Sequence, residues 1–217
     1  MAGKRTVGFA LLFVAIATTG PRAEIIDRIL AVVEGQLITL SDVRAVTRLG
    51  LETTPQSSDP TQAVLEKLID RQLMLVEVDR YAPPEPSTAD IDAQLQTVQK
   101  PYADALAFEI VLGQVGWARD DVRRYMRDEL RIGRYVQQRF SATIQPSDEE
   151  LAAYYRVHAD EFTRAGVLAP YNEVREEVRN RFVSERRSML VREWLAGLRR
   201  RANIQQLYFG TATAGRT

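Results

Sequence analysis

The spacing of hydrophobic residues changes along this chain, and its first segment is a single apolar run. Lys4 and Arg5 precede uncharged residues 7–17, a run shorter than the roughly 20 residues that a membrane-spanning helix needs. A basic start followed by such a run is typical of a secretory signal peptide. We therefore expect residues 1–23 to be a signal, cleaved within 20–23. An uncleaved helix at a membrane interface is the alternative.

The next segment has the pattern of two short strands. Branched apolar side chains dominate residues 25–33, Glu34-Gly35 interrupts them, and Leu37-Ile38 resumes the pattern. Gly35 supplies the positive φ of a tight turn, so residues 25–39 are predicted to form a β-hairpin. Two strands alone are marginal in water, so this hairpin must pack on helices. A second strand-like run at 204–209 could add a strand to its edge.

Between residues 39 and 201 the pattern is helical. Four capping residues each stand three positions before a side chain that can reach back, and the pairs are Thr39 with Asp42, Asp59 with Gln62, Ser87 with Asp90, and Ser147 with Glu150. These starts and the apolar periodicity predict a mainly α chain. The predicted helices span residues 40–50, 60–81, 88–99, 103–114, 119–140, 148–160 and 172–201.

Apolar faces indicate how the helices pack. Residues 73–76 are apolar on all sides, which predicts that the second helix is central. The fifth helix carries one apolar stripe, and its arginines, Arg131 among them, are predicted to cover the solvent side. The last helix carries an apolar stripe over 171–189 and a rotated one over 190–198, so it should contact two different partners.

Composition excludes several classes of site. The chain has no cysteine, and its single histidine is His158. Disulfides, thiolate metal sites, cysteine nucleophiles and polyhistidine sites are therefore ruled out. Acidic and basic residues number 29 each, and without Lys4, Arg5 and Arg22 the remaining chain has a net charge of −3. That balance argues against a nucleic-acid partner.

Few residues qualify for catalysis. No glycine-rich phosphate loop is present, so ATP use is not expected. The carboxylates of Asp120-Asp121 and of residues 148–150 open helices, where the helix dipole favours negative charge. His158 could be a general base, but a solvated position or a helix C-terminal role is favoured. We predict no catalytic residue, no metal ligand and no cofactor.

Arginine outnumbers lysine 26 to 3, and three arginines close the last helix at 199–201. A patch for nucleic acid or acidic lipid is one interpretation. A helix C-terminus that favours cations, in a chain that uses arginine as its general surface cation, is the interpretation that we favour.

Several segments of the chain have the pattern of a known protein family. They are residues 24–43, a hairpin running into a helix, and residues 144–162, 171–175, 193–199 and 202–204. The first resembles the opening of the mature chains of the SurA family of periplasmic chaperones. Residues 144–162 are similar to that family's last N-domain helix, and the remaining segments are similar to its C-terminal helix. In full-length relatives one or two parvulin-type prolyl isomerase domains lie between the segments that correspond to Phe162 and Tyr171. Here eight residues join them, and none matches a parvulin catalytic motif.

The resemblance implies a multi-helix peptide-binding domain, like the SurA N-terminal and trigger-factor C-terminal domains, with a small N-terminal β-hairpin and a possible C-terminal strand. The implied regions are a signal peptide at 1–23, a chaperone domain at 24–162, a linker replacing the isomerase domain at 163–170, a long helix and strand at 171–209 that pack back on the chaperone domain, and a disordered tail at 210–217.

The implied function is a periplasmic, ATP-independent chaperone that binds unfolded polypeptides, in particular outer-membrane protein precursors, without isomerase activity. We expect no nucleic-acid partner and no stable membrane insertion after signal cleavage. A homodimer is possible. Aromatic residues outside the main stripes are candidate peptide-binding residues: Tyr102, Phe108, Trp117, Tyr125 and Phe162. Two alternatives stay open, an assembly or structural protein of the cell envelope and a degenerate prolyl isomerase.

Overall fold

The computed structural model describes residues 27–54, 56–141 and 143–209. The predicted signal at 1–23 and the predicted tail at 210–217 lie outside the described residues. Within them the chain forms, in order, β1 (Ile29–Val33), β2 (Gln36–Thr39), α1 (Leu40–Arg48), α2 (Pro60–Tyr81), α3 (Thr88–Gln99), α4 (Ala105–Val115), α5 (Arg119–Ser141), α6 (Asp148–Val157), a 3-10 turn (Ala159–Phe162), β3 (Thr163–Arg164), β4 (Val167–Leu168), α7 (Tyr171–Arg201) and β5 (Ile204–Gln206). The predicted mainly α fold is confirmed.

The hairpin forms as its sequence predicts and gains a third strand. Glu34 and Gly35 take positive φ angles of 50° and 83°, which is the turn that two-residue hairpins favour. β5 pairs antiparallel with the other side of β1, so the strand order is β2-β1-β5. The predicted strand at the hairpin edge is confirmed, and it joins chain segments about 170 residues apart.

Helix α2 is the central helix, as predicted. Its start combines Pro60 in the first turn with Asp59, whose carboxylate accepts the backbone N–H of Gln62 at 2.9 Å. Its end is a left-handed residue, Ala82, followed by prolines that cannot continue a helix. Between these ends it contacts both strands of the hairpin and helices α1, α5 and α7.

The buried side chains divide the described residues into two lobes. The large lobe, residues 27–141 and 190–209, holds the main core around α2 and the hairpin. The small lobe, residues 147–182, has its own core of Leu151, Tyr154, Phe162, Val174 and Val178. Helix α7 therefore packs its first half in the small lobe and its second half in the large lobe, as its two stripes predict.

Several local predictions are corrected by the structure. Arg131 was expected at the surface but is buried, because its guanidinium pairs with Asp79 on α2 and with Asp128 one turn earlier on α5. Helix α6 ends at Val157, not at 160, and a 3-10 turn follows. Residues 163–170 contain a small hairpin turning at Ala165-Gly166. No helix of the described residues combines the length and the apolar character that crossing a bilayer requires.

Candidate peptide-binding cleft

A cleft of about 210 Å³ opens in the large lobe where β2, α1, α2 and α5 meet. One wall comes from the hairpin, where Leu37 points outward and is 56% exposed while Ile38 next to it is buried. Apolar and aromatic side chains form much of the lining, and charged side chains stand among them. The lining residues are Leu37, Ile38, Asp42, Val46, Leu68, Arg71, Gln72, Trp117, Asp121, Arg124, Tyr125 and Asp128.

Trp117 is held in the cleft by the turn between α4 and α5. Helix α4 ends at Gly116, whose φ of 76° reverses the chain, and the backbone N–H of Trp117 donates to the carbonyl of Leu112 at 3.0 Å. The indole Nε1–H donates to Oδ1 of Asp42 at 3.3 Å. Oδ2 of Asp42 accepts the backbone N–H of Thr39 at 2.8 Å in the capping box of α1. The position of the indole is therefore tied to the cap of α1.

Tyr125 forms the base of the cleft beside Trp117. The centroids of the two rings are 5.9 Å apart, and the Tyr125 side chain is almost fully buried. The guanidinium of Arg71 lies 3.9 Å from the Tyr125 ring centroid, a cation–π contact. Burial raises the pKa of the Tyr125 phenol above its ordinary value, so the hydroxyl stays protonated and donates to Oε1 of Glu52 at 3.1 Å.

The charges around the cleft are largely paired. Arg71 binds Glu129 with Nε 2.7 Å from Oε1, and it lies 3.7 Å from Asp128. Arg124 pairs with Asp121 one turn earlier on α5. Burial raises the pKa of the Glu129 carboxyl, and the charge of Arg71 opposes that rise. Because these charges compensate each other, the cleft has no strong field of one sign to attract a charged ligand.

The structure brings only some of the predicted aromatic residues together. Trp117 and Tyr125 share the cleft, while Tyr102 and Phe108 contact each other with ring centroids 5.2 Å apart. Phe162 lies in the small lobe. The rings of Phe108 and Phe162 are fully buried, so they offer no surface to a ligand in this conformation. Peptide contact by the five residues stays a prediction, carried further only for Trp117 and Tyr125.

Of the twelve lining residues, the sequence analysis selected only Trp117 and Tyr125, and Leu37 and Asp42 are among those that it missed. Leu37 could have been found from the alternation of β2, since the burial of Ile38 in the core forces its neighbour outward. Asp42 was recognised only as a capping residue, and nothing in the sequence indicates that Trp117, 75 positions away, would bind it.

Comparison with known proteins agrees with this architecture. No family model matches the chain. A curated protein named Chaperone SurA from Thiobacillus denitrificans is 28% identical over 193 residues, which are 80% of this chain and 44% of that protein. Chaperone SurA of Bordetella pertussis is 28% identical over 151 residues, 64% of this chain and 28% of that protein. The predicted resemblance to the SurA family is confirmed.

A solved structure supports the fold independently. It comes from a pair of Campylobacter jejuni proteins, PEB4 and Cj1289, described as structurally related SurA-like chaperones. The match has a TM-score of 0.52 at 14% identity and covers 83% of this chain and 99% of the other. The chain spans less than half the length of the curated SurA relatives above. The fold is therefore SurA-like, and the activity has to be argued from the cleft.

Proposed function

We propose that this chain is a chaperone of the periplasm that binds unfolded polypeptides, with outer-membrane protein precursors as its clients. The cleft between the hairpin and α5 is the observation that carries this proposal, because it exposes Leu37 beside Trp117 and Tyr125. Chaperones named in the comparisons support the same function. The signal predicted at 1–23 supports the location.

An extended client segment would gain free energy mainly by removing apolar surface from water. This transfer contributes about 25 cal/mol per Å² of apolar area. The paired rim charges add little, and the client loses conformational freedom when it is ordered, so the affinity should be modest. Release then needs no nucleotide.

Strand β2 gives the client a second means of attachment. It is an outer strand of the sheet, and among the described residues no further strand pairs with it. Its free edge adjoins the cleft through Leu37, so a bound strand could hydrogen-bond to the backbone while its side chains enter the cleft. Such backbone pairing tolerates many client sequences.

Prolyl isomerase activity is not part of this proposal. Residues 163–170 lie at the position where relatives of the SurA type carry an isomerase domain. Here they form a small hairpin whose two strands have two residues each. A peptide assay whose rate is limited by proline isomerisation should show no acceleration by the protein. Turnover above background would favour the degenerate isomerase instead.

The main test is light scattering during the refolding of a denatured β-barrel outer-membrane protein. We expect the protein to suppress aggregation at several-fold molar excess. Leu37→Asp places a charge in the cleft and should weaken client binding roughly tenfold or more, since burying a leucine contributes about 1.5–3 kcal/mol. Leu106→Asp is the matched control, because Leu106 is also exposed but lies outside the cleft.

Fluorescence locates the binding. The chain has two tryptophans, so Trp194→Phe leaves Trp117 as the only reporter. A client segment that lacks tryptophan should change the emission of Trp117, and Leu37→Asp in the same background should remove the change. Absence of protection by the wild type, or equal protection by Leu37→Asp, would refute the proposal. A tight dimer that covers the cleft would instead favour an assembly protein.

A further inference from the structure

Three potential metal ligands meet where the small lobe borders the middle of α7, away from the cleft. His158 follows the last residue of α6, Glu161 lies in the 3-10 turn, and Glu185 lies on α7. One ligand atom from each side chain lies within 4.8 Å of the other two. An imidazole nitrogen with two carboxylate oxygens is a donor set that Zn²⁺ and neighbouring transition metals accept, whereas Mg²⁺ and Ca²⁺ prefer oxygen alone.

The histidine ring is oriented by contacts outside this group. Nδ1 of His158 is 2.9 Å from the backbone carbonyl of Tyr154, so a hydrogen bond there requires the proton on Nδ1. That tautomer leaves the lone pair on Nε2, the arrangement that metal-binding histidines usually have. The ring also stacks on Tyr154 with centroids 4.0 Å apart, which limits its rotation.

Tyr154 also orients one of the carboxylates. Its hydroxyl donates to Oε1 of Glu185 at 2.6 Å. Oε2 of Glu185 is the second oxygen of that carboxylate. One residue thus fixes both the imidazole, through its backbone, and a carboxylate, through its side chain.

The neighbouring charges allow a cation and also compete with it. Arg181 binds Oε2 of Glu161 at 2.5 Å, so a metal would use Oε1 or displace the guanidinium. Arg186 and Arg192 line the adjoining cavity of about 540 Å³, which His158 also lines and which gives water and ions access. These arginines should lower the affinity, so binding in the micromolar range is a more reasonable expectation than that of a buried structural zinc.

Although no metal ligand is predicted from the sequence, we propose that His158, Glu161 and Glu185 bind one divalent transition-metal ion of the zinc class. Such an ion links the end of α6 and the 3-10 turn to the middle of α7, and it stabilises the packing of these elements on each other.

Calorimetric titration of the untagged protein with ZnCl₂ tests the site. We expect one bound ion per chain and a higher melting temperature for the zinc-loaded protein. Glu185→Gln and His158→Gln should each weaken binding about tenfold or more, and Tyr154→Phe about tenfold, the range seen when outer partners of metal ligands are lost. Glu193→Gln, an exposed change on the same helix, should bind as the wild type does.

Because His158 is the only histidine, its imidazole nitrogens give a single set of NMR signals. One equivalent of Zn²⁺ should shift the Nε2 signal strongly and leave Nδ1 protonated. Unmoved signals, equal zinc affinity in His158→Gln, or tighter binding of Mg²⁺ than of Zn²⁺ would each overturn the proposal. Glu185→Gln keeps an oxygen that Tyr154 can bind, so it remains informative if His158→Gln fails to fold. The client aggregation assay is independent of this outcome.

Discussion

The two lobes are built from the chain in opposite ways. The large lobe joins distant segments, since β1 pairs with β5 and Arg199 near the end of α7 binds Glu66 and Asp70 on α2. The small lobe is assembled from consecutive residues 147–182. The large lobe therefore needs both ends of the described chain, whereas we expect the small lobe to open without disturbing the sheet. Stability and local opening should follow this division.

The largest expected change in stability comes from replacing one buried phenylalanine in each lobe. Phe108→Ala in the large lobe and Phe162→Ala in the small lobe each leave a cavity and should cost about 3–5 kcal/mol of local stability. We expect Phe108→Ala to lower the free energy of global unfolding in urea. Phe162→Ala should increase amide hydrogen exchange in the small lobe and leave β1 protected. Equal loss of protection in β1 for both variants would show that the lobes are one cooperative unit.

Matched helix caps give a smaller effect. Thr39 caps α1 at the cleft and Ser147 caps α6 in the small lobe, both through capping boxes. Replacement of either by alanine should cost about 1 kcal/mol. Thr39→Ala should also alter the emission of Trp117 in the Trp194→Phe background, because Asp42 contacts both the cap and the indole. Ser147→Ala is the control and should leave that emission unchanged; a change there would contradict independent lobes.

The ion pairs of Arg199 should contribute less. Its guanidinium binds Asp70 at 2.6 Å and Glu66 at 2.8 Å, but the side chain is 36% exposed and the pairs are screened by solvent. Arg199→Met should lower the free energy of unfolding by about 0.5–1 kcal/mol, and high salt should reduce the difference. Arg200→Met, at an exposed neighbour, should have almost no effect in the same urea titrations. Equal effects of the two changes would argue against a specific link between α7 and α2.

The smallest effects concern pH, and the two lobes should differ in sign. Burial raises the pKa of Glu129 in the large lobe, and the charge of Arg71 opposes that rise. The contribution of Glu129 to stability is therefore full below the pKa of an unfolded glutamate, about 4.3, and it is lost as pH rises through the folded pKa. Hydrogen bonds from its own backbone and from Ser147 lower the pKa of Glu149 in the small lobe, so its contribution is lost as pH falls.

Chemical denaturation at a series of pH values checks these signs. Relative to Glu129→Gln, the stability of the wild type should decrease as pH rises from about 4.3 towards neutrality. Relative to Glu149→Gln, it should be constant near neutrality and should decrease as pH falls below about 4.3. The same sign for both variants would contradict the assigned environments. Glu193→Gln serves as the exposed control.

The helices could be predicted from sequence because local signals determine their starts. Ser87 and Ser147 cap α3 and α6 at the positions that their spacing to Asp90 and Glu150 indicates. The burial of Arg131 could not be predicted, since it depends on acidic partners such as Asp79 on another helix. Helix propensity and capping depend on residues a few positions apart, whereas the burial of a side chain depends on which helices and strands pack together.

The cleft was only partly predictable for the same reason. Trp117 and Tyr125 were selected as aromatics outside the main stripes, but the same criterion selected Phe162, which fills the small-lobe core. The feature that distinguishes the cleft residues from Phe162 is the solvent exposure of the site, which depends on how the helices and strands pack. The short hairpin at Ala165-Gly166 was missed because two-residue strands carry almost no periodic pattern.

The pairing of β5 with β1 has a consequence while the chain is still emerging. The outer side of β1 meets its partner only after about 170 further residues have emerged, whether from the ribosome or on the far side of a membrane. Until then the chain carries an open strand edge, the feature through which polypeptides most readily associate with each other. A protein proposed to protect others from aggregation is thus itself vulnerable until β5 has emerged.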